Sequence, residues 1–432
     1  MKVTWRKSFL VILHGRRMFS SSSAASSGGR RFAALWGNGD FGRLGLGTLE
    51  SKWRPTVCPF FSSKDREEVG GDPLVSVACG GAHTLFLTES GRVFSAGLNN
   101  CGQLGIATEK SYSLEPVEVV GIPEKVAQIS AGYHHSSAIT DDRKLFSWGS
   151  NSSGQLGLGK RAESIVSTPT RVDSLLDFNI QVIALGSEHS IAVTDEGNVL
   201  SWGAGSSGRL GHGHQSSILG FSFSSSEYTP RLIKKFEGIK VKKVAAGMMH
   251  TACISEEGIL FVFGEVANNK LGFGGAKSIS MPSAVQELPF SEDVACGGYH
   301  TSVLTSGGDL YTWGSNENGC LGLGCTNAVP TPEVVKSSLL KPPISKVSCG
   351  WKHSAVIAGK NIYTSGNVFT WGWGGANGTF FEEGLSSGGQ LGHGDDVDYF
   401  EPMIINTGSR VKALHVSCGF NHTGGIFEYM EL

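Results

Sequence analysis

One pattern recurs along almost the whole chain and leaves it few folds. It reads Trp-Gly, four residues, then Gly-x-Leu-Gly-x-Gly, and it begins in full at Trp36, Trp148, Trp202 and Trp313. A copy from Ala96 has Ala for the Trp and for the last Gly, and a copy from Phe263 has Asn269 for the middle Gly. A seventh, from Trp371, is stretched and closes only at Gly389-Gln390-Leu391-Gly392-His393-Gly394. A second pattern, Gly-x-x-His-Thr/Ser, places histidines at 83, 135, 189, 250, 300, 353 and 422. From each histidine to the next Trp position is 13 residues five times and 18 once, and Trp positions follow one another every 50–61 residues. Such a register identifies a repeat protein.

The unit is a β unit. Each histidine is followed by a short apolar run such as Ile191-Ala192-Val193, then a turn such as Asp195-Glu196-Gly197, then a run into the Trp-Gly such as Val199-Leu200-Ser201-Trp202. Apolar runs broken by Gly and acidic turns read as hairpins. A third strand is expected near Pro169–Val172 and a fourth near Gln181–Ala184. Four strands per repeat, seven times over, predict an all-β, seven-bladed β-propeller. The chain opens on a Trp-Gly half-unit (Trp36) and ends on a Gly-x-x-His half-unit (Gly419–His422). The termini are therefore expected to build one blade together and close the ring, which removes the open edges of a repeat array. Composition agrees: 61 of 432 residues are Gly and only 17% are charged, against about 7% and 25% in ordinary chains. No apolar stretch approaches the roughly 18 residues of a membrane span, so no membrane insertion is expected.

The amino terminus differs in kind. Residues 1–34 carry Lys2, Arg6, Lys7, Arg16, Arg17, Arg30 and Arg31, no acidic residue, and serines at 20–23, 26 and 27. Trp5, Phe9, Ile12 and Leu13 share one side of a helix, although Arg16 falls there too. Basic, Ser-rich, acid-free amphipathic starts read as organelle transit peptides, and Phe9–Leu13 is too short for a secretory core. The expectation is a mitochondrial (matrix) transit peptide over 1–33 and a propeller over 34–432. A basic tail of a cytosolic or nuclear protein and a chloroplast address are the alternatives. Arg17-Met18-Phe19 before Ser20 and Arg30-Arg31-Phe32 before Ala33 both resemble mitochondrial processing sites. Without the leader the body carries 29 basic and 38 acidic groups, so general attraction to phosphate is not available to it.

The pattern in Trp148–Gly159 resembles the repeat of the regulator of chromosome condensation family, and the likeness runs from residue 36 to 432. Together with the transit peptide it resembles the plant mitochondrial branch. That resemblance implies a non-enzymatic platform supporting splicing of mitochondrial mRNA and accumulation of respiratory complex I, with splicing factors as partners and RNA contact direct or indirect. The family also implies an alternative, guanine nucleotide exchange on a small GTPase. A third activity in the family, ultraviolet sensing, needs tryptophans clustered across adjacent blades, and here only Gly350-Trp351-Lys352-His353-Ser354 comes close to the required pattern.

Apparent chemical motifs dissolve into the repeat. Gly37-x-Gly39-x-x-Gly42 and Gly203-x-Gly205-x-x-Gly208 match a dinucleotide fingerprint without a helix to open. Gly154-x₄-Gly159-Lys160 lacks the Ser/Thr of a phosphate loop. His212-x-His214 sits where other copies carry Leu46, Leu158 or Leu323. Cys79, Cys296, Cys349 and Cys418 share a slot with Ala131, Leu185 and Ala246, which reads as apolar packing. No catalytic residue, cofactor or metal site is expected, and the seven histidines are expected to tie strands and blades together.

Departures from regularity carry the candidates for binding. Pro59–Pro73 holds a charged insertion, Lys64–Glu68; residues 213–230 add Ile218, Leu219, Phe221 and Phe223; and the stretched seventh copy adds Phe380, Phe381, Glu382 and Glu383. Apolar and acidic side chains on loops of a rigid scaffold suit a protein partner; tolerated loop drift is the other reading. Lys234, Lys235, Lys240, Lys242 and Lys243 form the candidate RNA patch, with a solvated strand pair as the alternative.

Overall fold

The computed structural model describes residues 30–62, 71–213, 216–218, 221–223, 226–265, 278–340, 343–359, 366–375 and 388–430. They form seven four-stranded antiparallel sheets and one small two-stranded sheet. The seven sheets are the blades of a propeller. Blades 1–6 span residues 74–119, 126–171, 180–232, 241–284, 291–334 and 344–404, and blade 7 joins 411–429 to 31–57.

Blade 3 shows the common plan. Ile180–Leu185 is innermost, followed by His189–Thr194, Val199–Gly203 and, outermost, Glu227–Leu232. The strand expected near 169–172 is the outermost strand of blade 2, Ile165–Arg171, and the one near 181–184 opens blade 3. The two middle strands are buried on both faces, so they read as apolar and small-polar runs rather than as alternation. Outer strands are half exposed, and each carries a proline: Pro55, Pro116, Pro169, Pro230, Pro282, Pro330 or Pro402. Proline has no N–H to offer a stray strand, which protects an open edge.

The Gly of each Trp-Gly is a backbone requirement. At Gly203, φ is +103°, and an added Cβ would lie 2.5 Å from the Glu188 carbonyl oxygen and 2.7 Å from His189 Cα. The pairing of the third and fourth strands shifts register at this glycine in every blade.

Hydrophobic clusters lie mainly between blades. Ile139 and Leu145 of blade 2, for example, pack with Ile183 and Trp202 of blade 3. Two hydrogen-bond circuits run around the axis. In the inner one, the residue after each motif Gly donates its N–H to the motif Gly carbonyl of the next blade, from Gly81 to Gly132 (3.1 Å) round to Phe420 to Gly80 (3.0 Å). In the second, each motif histidine meets a Ser or Thr hydroxyl of the next blade at 2.9–3.2 Å, from His83–Ser136 round to His422–Thr84.

Among the described residues, six of those hydroxyls donate onward to backbone carbonyls of the previous blade, as Ser190 does to Gln155 O at 2.7 Å. Each such hydroxyl has one proton, so His Nε2 is the donor to it and Nδ1 carries none. Burial holds six of these imidazoles neutral: His83, His135 and His353 are pushed down to about 3 and His250 to about 4, and His189 and His422 are lowered well below the ordinary value. Indoles reinforce the seams, with Trp148, Trp202 and Trp371 donating to Gln103, Gln155 and Cys320 carbonyls at 2.9–3.0 Å. The histidines and tryptophans thus do what the repeat implied.

The termini close the ring. Arg31–Gly37 inserts between His422–Tyr429 and Lys52–Val57, with Val411–Cys418 innermost.

Candidate interaction face

The ring has two unlike faces. His189 pairs with Gly203 and His353 with Gly372, so the Gly-x-x-His turns and the loops leaving each Trp-Gly emerge on one side, the Gly-His face. The connections from an outermost strand to the next blade, and the Asp/Glu-Gly turns, emerge on the other.

Seven glycine turns surround a cavity of roughly 100 Å³ at the axis of the Gly-His face. Three of its lining residues, Tyr133, Trp351 and Phe420, take part in four ring contacts that join blades 6, 7 and 2. Trp373 meets Trp351 edge-on at 5.7 Å, Trp351 stacks on Phe420 at 4.2 Å, Phe420 meets Tyr133 at 5.1 Å, and Tyr133 meets His134 at 4.4 Å. Glycines make room for this bridge: a Cβ on Gly81 would lie 2.8 Å from Tyr133 Cδ2, and one on Gly298 2.4 Å from Trp351 Cδ1. Lys352 Nζ lies 4.8 Å from the Trp351 ring centre and 3.9 Å from Glu317. Beside it a cavity of about 380 Å³ opens between blades 4, 5 and 6, lined by Glu265, Tyr299, Glu317 and Lys352 among others. Trp351 therefore does not stand alone, as the sequence reading held, but its indole neighbour belongs to the same blade. The flanking blades offer Gly298 and Phe420 at the equivalent positions.

Two buried arginines fill the slot that holds Gln103, Gln155 and Gln390 in other copies. Arg43 is 5% exposed, donates to the Asp40 and Gly81 carbonyls, and is pushed down to about 10 by burial, against the pull of Asp40 and Tyr133. Arg209 donates to Ser187 Oγ and Met248 O and sits 3.9 Å from Glu188. The aromatic bridge and these cations were missed in the sequence. The only signal for them was Trp373 two residues after a motif Trp, and Arg where Gln is usual.

Phe221 and Phe223 lie on strand Phe221–Phe223, which pairs with Ser216–Ile218 in the extra hairpin. The loop bearing it leaves blade 3 on the Gly-His face. Phe380, Phe381, Glu382, Glu383 and the insertion Lys64–Glu68 lie outside the described residues. The ends of the blade 6 stretch are tied together, Gly389 N–H to Gly374 O at 2.9 Å, on the Gly-His face.

The lysines lie on the opposite face and fall into two groups. Lys234 and Lys235 sit exposed on the short turn Lys234–Phe236, and Lys240 is exposed ahead of strand Val241–Ala246. Lys242 and Lys243 pair instead with Glu292 and Asp293 of blade 5 at 3.7 Å each, and Lys242 also lies over Phe290.

His212 is hydrogen-bonded to Ser201 Oγ at 3.1 Å, and His393 to Thr370 in the equivalent place. Among the described residues, no group of three His, Cys, Asp or Glu side chains is placed to hold a metal ion. All nine cysteines are unbridged, and burial pushes the Cys79 and Cys349 thiols up to about 12 and 11. No described helix is long and apolar enough to cross a membrane.

Residues 33–424 match the RCC1-like domain. The chain belongs to that family. It is 33% identical to the ultraviolet-B receptor UVR8 of Arabidopsis thaliana, over 91% of this chain and 70% of the receptor. It is 34% identical to the human probable E3 ubiquitin-protein ligase HERC6, but over 49% of this chain and only 20% of the ligase. Among solved structures it resembles Prp20p of Saccharomyces cerevisiae, a protein studied for binding to Gsp1p and histones, at 26% identity and a TM-score of 0.76, covering 94% of this chain and 93% of Prp20p. RCC1-like propellers mediate protein interactions, and this chain is built as one.

Proposed function

We propose that the chain is a non-enzymatic interaction platform whose Gly-His face receives protein partners. The observation that carries this reading is the asymmetry of that face, where an aromatic bridge, a side cavity and the blade 3 and blade 6 loops break a regular ring. The two hydrogen-bond circuits hold the face rigid, so binding does not have to order it. We assign the platform to the mitochondrial matrix, in support of mRNA splicing and complex I accumulation. That assignment draws on the acid-free basic amino terminus and on the resemblance to the plant mitochondrial branch.

Ultraviolet crosslinking and immunoprecipitation from purified mitochondria tests it. Recovery of intron-containing transcripts supports the splicing role. Recovery of protein partners without RNA narrows the role to a scaffold, and absence from mitochondria removes the organellar reading. Exchange-factor activity is the second reading, favoured by the likeness to Prp20p. It requires catalytic amounts of the chain to accelerate GDP release from a purified organellar GTPase.

A further inference from the structure

We propose that the cavity between blades 4, 5 and 6 is where a protein partner inserts an arginine side chain, and that Lys352 is an internal occupant which that arginine displaces. The inference rests on the reading of the Gly-His face as the partner face and adds the chemistry of the group it receives.

A cation already sits in this place. Phe420 stacks on one face of the Trp351 indole at 4.2 Å. That leaves the other face to Lys352, whose Nζ lies 4.8 Å from the Trp351 ring centre and 5.8 Å from that of Trp373. Gly298 lets the indole lean toward blade 5, since a Cβ there would lie 2.4 Å from Trp351 Cδ1. Indole faces attract cations through the ring quadrupole. The hold on Lys352 itself is weak. Its carboxylate partner Glu317 is 3.9 Å away, and the two side chains are 31% and 73% exposed. An ion pair so open to water contributes little.

Lys352 alone does not balance the charge around the cavity. The charged lining residues are two carboxylates, Glu265 and Glu317, and one ammonium, Lys352. Adding the adjoining pair, Glu188 and the buried Arg209 at 3.9 Å, still leaves one more carboxylate than cations. Glu265 accepts a hydrogen bond from Ser207 Oγ and fills a slot that holds Asn38, Leu98, Ser150, Ala204, Ser315 or Trp373 in the other copies. The repeat therefore needs no carboxylate there in order to fold. At about 380 Å³ the space falls within the roughly 300–1,000 Å³ of ligand pockets. Arginine suits it better than lysine. A planar, weakly hydrated guanidinium can lie on an indole and hydrogen-bond two carboxylates at once, whereas an ammonium is a compact, strongly hydrated point charge.

The test is a saturation-transfer NMR titration of the purified full chain with a blocked Gly-Arg-Gly tripeptide. The control is the same peptide carrying citrulline, which keeps the shape of arginine and lacks its charge. The arginine peptide is expected to bind and the citrulline peptide not to. E265Q and E317Q are each expected to weaken binding by about tenfold, the loss of one charge-assisted hydrogen bond. K352M is expected to strengthen binding several-fold, and E196Q, on the opposite face, to leave it unchanged. E317Q and K352M should melt with the parent chain, because neither side chain is buried, so a change in their binding is not a change in folding. Equal binding of the two peptides, no binding by the parent and K352M, weaker binding by K352M, unchanged binding by E265Q and E317Q, or an equal loss in E196Q each overturns the proposal. Those outcomes leave the partner-face reading standing on the blade 3 and blade 6 loops; that reading is decided separately, by recovery of a protein partner.

Discussion

Blade 7 and blade 3 have the same four strands, yet their middle pair is joined differently. In blade 3 the tight turn at Asp195–Gly197 connects them covalently, and five residue pairs suffice, His189–Val193 with Val199–Gly203. In blade 7 the partners come from opposite ends of the chain, and the pairing lengthens to seven, Arg31–Gly37 with His422–Glu428. An aromatic stack and an Arg31–Glu428 ion pair are added there. One seam contact is lost: the buried Trp36 indole N–H meets no acceptor among the described residues, where Trp202 donates to Gln155. Closing a ring without a covalent turn leaves chain entropy to be overcome by contact, and the longer strands supply it.

The largest effect expected is one that treats both blades alike. The buried imidazoles titrate below the ordinary value of 6.5, so above that pH folded and unfolded chains are both neutral and stability is complete. As pH falls below 6.5 the unfolded chain takes up protons that the folded one refuses, until the folded values near 3 and 4 are reached. Each imidazole then withdraws about 1.4 kcal/mol per pH unit. Six circuit histidines are lowered, counting His189 and His422, so the sum is on the order of 8 kcal/mol per unit. Against a total stability of about 5–15 kcal/mol, a single cooperative acid unfolding above about pH 4 is expected by circular dichroism. Two separated transitions would mean that one seam, the closing blade first among suspects, stands apart from the rest.

Truncating buried aromatics should separate the blades. W202A and F32A are each expected to lower stability by about 3–5 kcal/mol. F32A alone should raise amide exchange across residues 31–37 and 422–429. Exchange rising there in W202A would show that the blades are coupled too tightly for the distinction to hold.

A smaller effect compares the seams directly. Thr84 Oγ1 donates to Arg43 O at 2.7 Å and meets His422 Nε2 at 2.9 Å; Ser190 makes the matching pair with Gln155 O and His135. T84V and S190A should each destabilise by about 1–3 kcal/mol through groups left unpaired. A much larger loss at Thr84 in chemical denaturation would identify the seam beside the closing blade as the weak point.

The smallest effect belongs to the far face. Replacing Lys234 and Lys235 by Ala is expected to leave the melting temperature unchanged, because both are exposed. If the chain contacts RNA through them, the slope of log affinity against log salt should fall by about one per lysine. An unchanged slope would remove these two lysines as a direct RNA site.

Much of the framework was readable because it repeats. Seven glycines at one position imply a constraint on the backbone, and at Gly203 that constraint is a positive φ against the His189 turn. Seven histidines at another imply structure rather than chemistry. The candidate site was far less readable. The bridge joins Tyr133, Trp351 and Phe420, which vary at one repeat position, to Trp373, and the repeat gives no sign that these variants touch. It forms because Gly81 and Gly298 have no side chain to obstruct it. The lysine run looked like one patch in sequence, and side-chain ion pairs from Lys242 and Lys243 across to blade 5 divide it.

The sequence by itself determined a seven-fold β repeat, its closure from both termini, the buried roles of His and Trp, and an unusual basic amino terminus. These follow from local periodicity, which a chain carries wherever it folds. Only the tertiary structure decided that Phe32 belongs to the closing strand, that the Gly-His face carries an aromatic bridge, and that Lys242 and Lys243 are already paired. Each of those depends on which blade lies next in space, and a distance between side chains far apart in the chain is set by the closed ring, not by any one segment.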